Sequence, residues 1–177
     1  MRKLSHQELV QRQQEKRSGK KLPFVAVLNN IRSLYNVGSV FRTADGVGLE
    51  KLWLCGITGI PPAGKISKTA LGAEREMPWE YRQDVFALLR ELRALGYEIV
   101  LLEQTVKSIP YETYQPSKPV CLVLGNEIKG VADDLLSVCD LAVEIEMVGL
   151  KNSLNVTVAF GVTAYHIRQQ LLQKLPR

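Results

Sequence analysis

Short runs of consecutive apolar residues recur along the chain: PFVAVL (23–28), KLWLCG (51–56), EIVLLE (98–103), VCLVLG (120–125) and LAVEIEM (141–147). A strand with one face in water alternates apolar with polar residues, whereas a strand apolar at successive positions has protein on both faces. Stretches with helical spacing and end signals separate these runs. VGSVFRTADGVG (37–48) closes on glycine, and DVFALLRELRALG (84–96) opens on Asp84 and closes on Gly96. VADDLLSVC (131–139) reads as a helix, and a final helix is expected from about residue 153 to 173. This alternation predicts an α/β domain, a parallel sheet flanked by helices. Residues 57–80 read as a long polar connection containing Gly, Pro and Lys.

A chain of 177 residues, 46% apolar and 23% charged, suits one globular domain with a substantial core. No apolar run approaches the roughly 18 residues that a membrane span needs, and MRKLSHQELVQRQQ has no apolar stretch typical of a signal peptide. The expectation is a cytoplasmic protein. Cys55, Cys121 and Cys139 lie far apart in or beside apolar segments, and the only histidines are His6 and His166. Reduced thiols and no metal site are expected.

Charge is unevenly placed. Residues 1–21 hold seven basic and two acidic groups, which is the whole net charge of +5, so residues 22–177 are neutral. Ser5 and Glu8 have capping-box spacing, Leu4 and Leu9 are spaced as a hydrophobic staple, and a helix from about 6 to 17 ending at Gly19 follows. The chain is therefore expected to divide into a basic helical arm (1–21) and a body (22–177). A basic arm on a neutral body suggests a polyanionic partner.

In open parallel sheets, ligands bind beyond the carboxyl ends of the strands. The segment GIPPAGK (59–65) nearly spells a phosphate-binding loop there, but Ile66 replaces the metal-binding hydroxyl and Pro61 and Pro62 lack N–H groups. No GxGxxG is present either. Lys65 and Lys68 remain candidates for touching an RNA backbone. Three other strand ends carry glycine with amide, hydroxyl or charged groups: NVGSVFRTAD after the first strand, GNEIKG at 125–130, and IEMVGLKNSLNVTVA at 145–159.

In this order these segments resemble the three motifs of the SpoU (TrmH-like) branch of the SPOUT RNA methyltransferases. The family patterns are N-x-G-x-x-x-R-T/A, G-x-E-x-x-G and I-P-M-x-G-x-x-x-S-L-N-V-S-V-A. Glu146 stands where the family usually has Pro, and Thr157 where Ser is common. The resemblance implies a C-terminal trefoil knot, S-adenosylmethionine as cofactor, and a homodimer in which an arginine of one subunit faces the other's cofactor. It implies Leu124, Gly125, Ile145, Met147, Ser153 and Leu154 as the cofactor site. Asn36, Arg42, Glu127, Ser153 and Asn155 are the implied catalytic set.

Methyl transfer from a sulfonium is an in-line displacement, so the protein positions the acceptor and manages its proton. The family's usual proposal makes Arg42 the base. A guanidinium keeps its proton at neutral pH, which favours Arg42 gripping a phosphate and stabilising the developing alkoxide. Glu127 is expected to orient Arg42 or to contact the ribose, and Ser153 can cap the last helix. That helix is apolar almost all round in its first half, which suggests burial between the sheet and a partner subunit. The expected activity is ribose 2′-O-methylation of tRNA or rRNA, tRNA favoured. The alternatives are a relative that methylates a base nitrogen and a non-catalytic RNA-binding dimer.

Overall fold

The computed structural model describes residues 1–17 and 22–174. A helix α1 (His6–Arg17) precedes the body. The body then runs β1 (Phe24–Asn29), α2 (Leu34–Val47), β2 (Lys51–Cys55), α3 (Gly64–Ala70), α4 (Ala73–Glu76), β3 (Trp79–Arg82), α5 (Val85–Ala94), β4 (Glu98–Leu102), β5 (Ile109–Pro110), β6 (Val120–Leu124), α6 (Asp133–Leu136), β7 (Leu141–Glu144) and α7 (Val156–Gln173). All strand pairs are parallel, in the order β3-β2-β1-β6-β4-β7-β5.

The consecutive apolar runs are explained by two cores, one on each face of this sheet. Phe24, Ala26 and Leu28 of β1 join the core beneath α2, α3 and α7, while Val25 and Val27 join the core beneath α5 and α6. Every residue of β1 is buried. Cys55 and Cys121 are buried in the second core and all three cysteines are free. Burial holds the Cys55 thiol up at about 12 and raises that of Cys121, so neither is a nucleophile.

Local signals set the helix ends. Ser5 and Glu8 bond reciprocally, Ser5 N–H to Glu8 Oε2 at 2.7 Å and Glu8 N–H to Ser5 Oγ at 3.3 Å. Leu4 and Leu9 beside them are both exposed, and Gly19 lies outside the described residues. Asp84 accepts from the N–H groups of Phe86 and Ala87 at the start of α5. Gly48 ends α2 with φ of 76°, in the left-handed region open to glycine.

Residues 57–80 differ from the expected connection: they fold into α3, α4 and the start of β3. The reason is packing on α2 rather than local periodicity. Thr69 Oγ1 donates to the Tyr35 carbonyl at 2.9 Å, and a Cβ on Gly38 would lie 2.2 Å from both the Ile66 carbonyl oxygen and Thr69 Oγ1. Gly38 is thus where α2 and α3 touch. Gly38→Ala forces two backbones apart, and is expected to cost about 1–3 kcal/mol and to lower Tm by about 2–4 °C per kcal/mol. An unchanged melting curve would mean that α3 is not seated on α2.

Two further corrections concern helix starts. The helix expected over 131–139 is a single turn, α6. The last helix begins at Val156 under an Asn155 cap, so Ser153 does not cap it.

Candidate active site

Because the sheet is parallel, the segments after β1, β6, β4 and β7 leave it at one edge and in that lateral order. After β1, Asn30 turns the chain with φ of 61°, a conformation asparagine tolerates better than most residues. Its Oδ1 accepts from Ile57 N–H at 3.1 Å, and buried Thr58 ties Ile31 N–H to the Leu28 carbonyl. Ser33 then caps α2, its Oγ accepting from Asn36 N–H at 3.3 Å. Asn36 therefore sits in the first turn of α2, with its side chain free to reach outward.

The GNEIKG loop after β6 is a tight reversal. Asn126 and Gly130 exchange two backbone hydrogen bonds at 3.0 and 2.9 Å, and Asn126 Oδ1 accepts from the N–H groups of Ile128 and Lys129. A Cβ on Gly125 would fall 2.4 Å from the Gly130 carbonyl carbon, so only glycine permits the closure. Asn126 Nδ2 donates to the Asn30 carbonyl at 2.8 Å, joining this loop to the one after β1.

Glu127 is aimed by that reversal at the start of α2. Oε2 accepts from Arg32 N–H at 3.0 Å, and Oε1 accepts from Ser33 N–H at 2.9 Å and from Asn36 Nδ2 at 3.0 Å. Partial burial opposes ionisation, yet the two backbone N–H groups and Asn36 outweigh it and hold the carboxyl below its ordinary range. Glu127 is thus neither at the start of α6 nor against Arg42. It is a carboxylate at the positive end of α2.

Asn155 completes the line. Its Oδ1 caps α7, accepting from Thr157 N–H at 2.8 Å and Thr157 Oγ1 at 2.6 Å, while its Nδ2 donates to Asn36 Oδ1 at 3.4 Å. Glu127 and Asn155 are therefore joined through Asn36, one residue from each strand end. Thr157 supplies the hydroxyl that fixes the Asn155 amide, a group that the family's usual Ser also carries. Arg42 is not among them. It lies on α2 about 9 Å along the axis from Asn36 and about 120° round it, is exposed, and makes no hydrogen bond or ion pair among the described residues.

Beyond β7 lies a cavity of about 330 Å³, whose lining includes Gln104, Glu144, Ile145, Glu146, Met147 and Asn152. Of the residues implied for the cofactor, Ile145 and Met147 line it; Leu124 and Gly125 are buried at the end of β6, and Ser153 and Leu154 are exposed past the cavity. Residues 146–154 make no backbone-to-backbone hydrogen bond among the described residues, and apart from the Asn152 carbonyl, which accepts from Gln104 Nε2 at 2.6 Å, their N–H and C=O groups are open to a ligand. His166 is elsewhere, its Nε2 2.8 Å from the Tyr114 carbonyl oxygen.

The sequence profile of the SpoU rRNA Methylase family matches residues 23–165. The chain belongs to the SpoU family. Among SpoU relatives, the tRNA (guanosine(18)-2′-O)-methyltransferase of Aquifex aeolicus is 28% identical over 151 residues, 85% of this chain and 71% of that protein. The 23S rRNA (guanosine(2553)-2′-O)-methyltransferase of Bacillus subtilis is 31% identical over 144 residues, 81% of this chain but 57% of that protein. The chain thus spans little more than half the length of several curated relatives. Among solved structures, the Aquifex aeolicus TrmH/SpoU tRNA modifying enzyme superposes with a TM-score of 0.80 at 26% identity, covering 93% of this chain and 86% of that one. The AdoMet-bound rRNA methyltransferase of Sinorhizobium meliloti gives 0.78 at 27% identity, over 86% and 57% of the two chains.

Asn30, Thr58, Asn126, Glu103 and Gln104 received no role from the sequence. Asn30 and Asn126 lie within segments singled out by the strand-end rule, and the same rule applied to β4 points to Glu103 and Gln104. Thr58 carried no such signal.

Proposed function

We propose that this chain is an S-adenosylmethionine-dependent RNA ribose 2′-O-methyltransferase of the cytoplasm, acting as a homodimer and with its C-terminal part tied in a trefoil knot. The observation that carries this reading is the Glu127–Asn36–Asn155 line, which joins all three family motifs in one contact network.

The cavity beyond β7 fits the cofactor. Its volume lies in the usual range of small-molecule sites, about 300–1,000 Å³. Ile145 and Met147 offer apolar surface to an adenine, unspent backbone groups of 146–154 offer hydrogen bonds, and Glu144 and Glu146 offer negative charge to a sulfonium or ammonium. When bound, S-adenosylmethionine supplies an electrophilic methyl group to an in-line acceptor oxygen.

The residues then divide the remaining work. Glu127 has both oxygens engaged and a lowered pKa, which makes it a poor base and a good anchor for the start of α2. Asn155 has spent its oxygen on Thr157 and one amide N–H on Asn36, so its second N–H is the part free to meet a ribose oxygen. Arg42 supplies fixed positive charge for a phosphate and the developing alkoxide. Exposed on α2, it acts on the site of a second copy.

The dimer has further support in α7. Phe160, Ala164, Ile167 and Leu171 face the core, while Val158, Tyr165 and Leu172 of α7, with Leu154 just ahead of it, form an exposed apolar stripe at 51%, 52%, 42% and 38% exposure. A second copy would cover such a stripe. The favoured substrate is tRNA, supported by the extensive two-way overlap with the Aquifex aeolicus tRNA modifying enzyme.

The body (22–177) is assigned the chemistry and the basic arm (1–21) the RNA. Deleting residues 1–21 should weaken RNA binding and flatten its salt dependence, since each lost phosphate contact lowers the log–log slope by about 0.9 on duplex and about 0.7 on single-stranded nucleic acid. Filter binding across a salt series reads both, and unchanged affinity would refute the arm's role. Calorimetry tests the cofactor: S-adenosylmethionine binding is expected, and no heat with the undeleted chain would favour a non-catalytic RNA-binding dimer.

A further inference from the structure

The register of the sheet puts the end of β4 between the two loops assigned to the cofactor. Leu102 pairs with Leu124 of β6 on one side and with Val143 of β7 on the other. The next two residues, Glu103 and Gln104, leave the sheet with one loop on each flank. Each reaches a different one.

Glu103 turns toward the loop after β6. Its Oε2 accepts from Val131 N–H at 2.9 Å, and its Oε1 accepts from Gln104 N–H at 2.9 Å. Its backbone N–H meanwhile bonds the Val143 carbonyl of β7 at 3.1 Å. The Glu103 carboxylate also lies where a Cβ of Gly130 would be, 2.4 Å from Oε2. Gly130 has φ of 67°, so the reversal and the carboxylate lock fit only together. Gln104 turns the other way. Its Nε2 donates to the Asn152 carbonyl at 2.6 Å, and it lines the cavity with Ile145 and Met147.

We infer that Glu103 and Gln104 are a positioning pair that ties the loops after β6 and β7 to the end of β4, and that this fixes the shape of the cofactor cleft, which Gln104 and the loop after β7 line. The pair rests on the reading of that cleft as the S-adenosylmethionine site. The loop after β7 has no backbone-to-backbone bonds over residues 146–154 among the described residues, so a single side-chain tether has leverage there. Gln104 binds through the loop, holding the Asn152 carbonyl in place; an exposed amide side chain holding one carbonyl contributes little to global stability.

The test compares wild type with Gln104→Ala and Gln104→Glu, the second keeping the size but placing a carboxylate against the Asn152 carbonyl. Calorimetric titration with S-adenosylmethionine is expected to show at least tenfold weaker binding in both. Tm without cofactor should stay within about 2 °C of wild type, and kcat at saturating cofactor within about twofold. Glu103→Gln, which turns one acceptor oxygen into a donor facing Val131 N–H or Gln104 N–H, should weaken binding as well and speed hydrogen exchange at Val131. Wild-type affinity in the Gln104 variants, or a fall in affinity matched by a large fall in Tm, would overturn the pair while leaving the cofactor site standing. Wild-type protein that binds no S-adenosylmethionine would overturn both.

Discussion

Glu127→Ala is expected to reduce methyl transfer at least about 100-fold, because catalytic geometry is sensitive to displacements of about an ångström. The carboxylate engages three donors at once: two backbone N–H groups ahead of α2 and the Asn36 amide. Removing it unseats Asn36, and through Asn36 the contact to Asn155. The stability cost should be about 2–3 kcal/mol, since charge-assisted bonds are lost and donors are left without partners. For a chain of this size that is a Tm lower by about 5–10 °C. Glu127→Gln is expected to be nearly as damaging: one acceptor oxygen becomes an NH₂ that meets Arg32 N–H, or Ser33 N–H and Asn36, donor to donor. The pH dependence has a definite sign. The folded-state pKa of Glu127 is lowered, so its contribution is complete above the unfolded carboxylate value near about 4.3. That contribution is lost as pH falls through the lower folded value. Acid unfolding of Glu127→Gln should therefore be shallower over that window. Wild-type activity and stability in Glu127→Ala would break the link between the second motif and the first.

Arg42→Ala, by contrast, should leave Tm unchanged and cut activity about 100- to 1,000-fold, the range seen when one electrostatic stabiliser is removed. The side chain is exposed and makes no ion pair among the described residues, so no folding contact disappears with it. Arg42→Lys keeps the charge and should retain a measurable rate. If Arg42 acts across a dimer, Arg42→Ala and Asn155→Ala proteins should complement each other. A heterodimer unites the Asn155 of one subunit with the Arg42 of the other in one of its two sites. Co-expression at equal levels makes half the dimers mixed, so about a quarter of all sites are intact. Activity near that fraction is expected. No recovery, with mixed dimers verified by differential tags, would place Arg42 in the site of its own chain.

Much of the fold was legible because its cause is local. Consecutive apolar residues in β1, β2, β4 and β6 require protein on both faces, and two cores lie there. Asp84, Gly48 and the Ser5–Glu8 pair act within four residues of themselves, so their patterns are complete in the sequence. The 57–80 segment was not legible, because α3 is short and polar and is held by contacts with Gly38 and Tyr35, some thirty residues away. Strand β5 is two residues long and contains Pro110, which no strand pattern would reveal. At the candidate site the motif order pointed to Asn36, Glu127 and Asn155, but not to how they meet. Glu127 bonds groups more than ninety positions away. The choice of Asn155 over Ser153 as helix cap depends on a second bond to Thr157, which either residue's identity alone leaves open.

The most direct test of the account is transfer of a labelled methyl group from S-adenosylmethionine to total tRNA and, separately, to rRNA, followed by complete alkaline hydrolysis. Alkali cleaves RNA through the free 2′-hydroxyl, so a 2′-O-methylated nucleotide survives joined to its 3′ neighbour. The account predicts label in alkali-resistant dinucleotides, with tRNA the better acceptor, and its loss in Glu127→Ala and Arg42→Ala. Label recovered in mononucleotides would mean methylation of a base, and no transfer to either RNA would contradict the proposed activity.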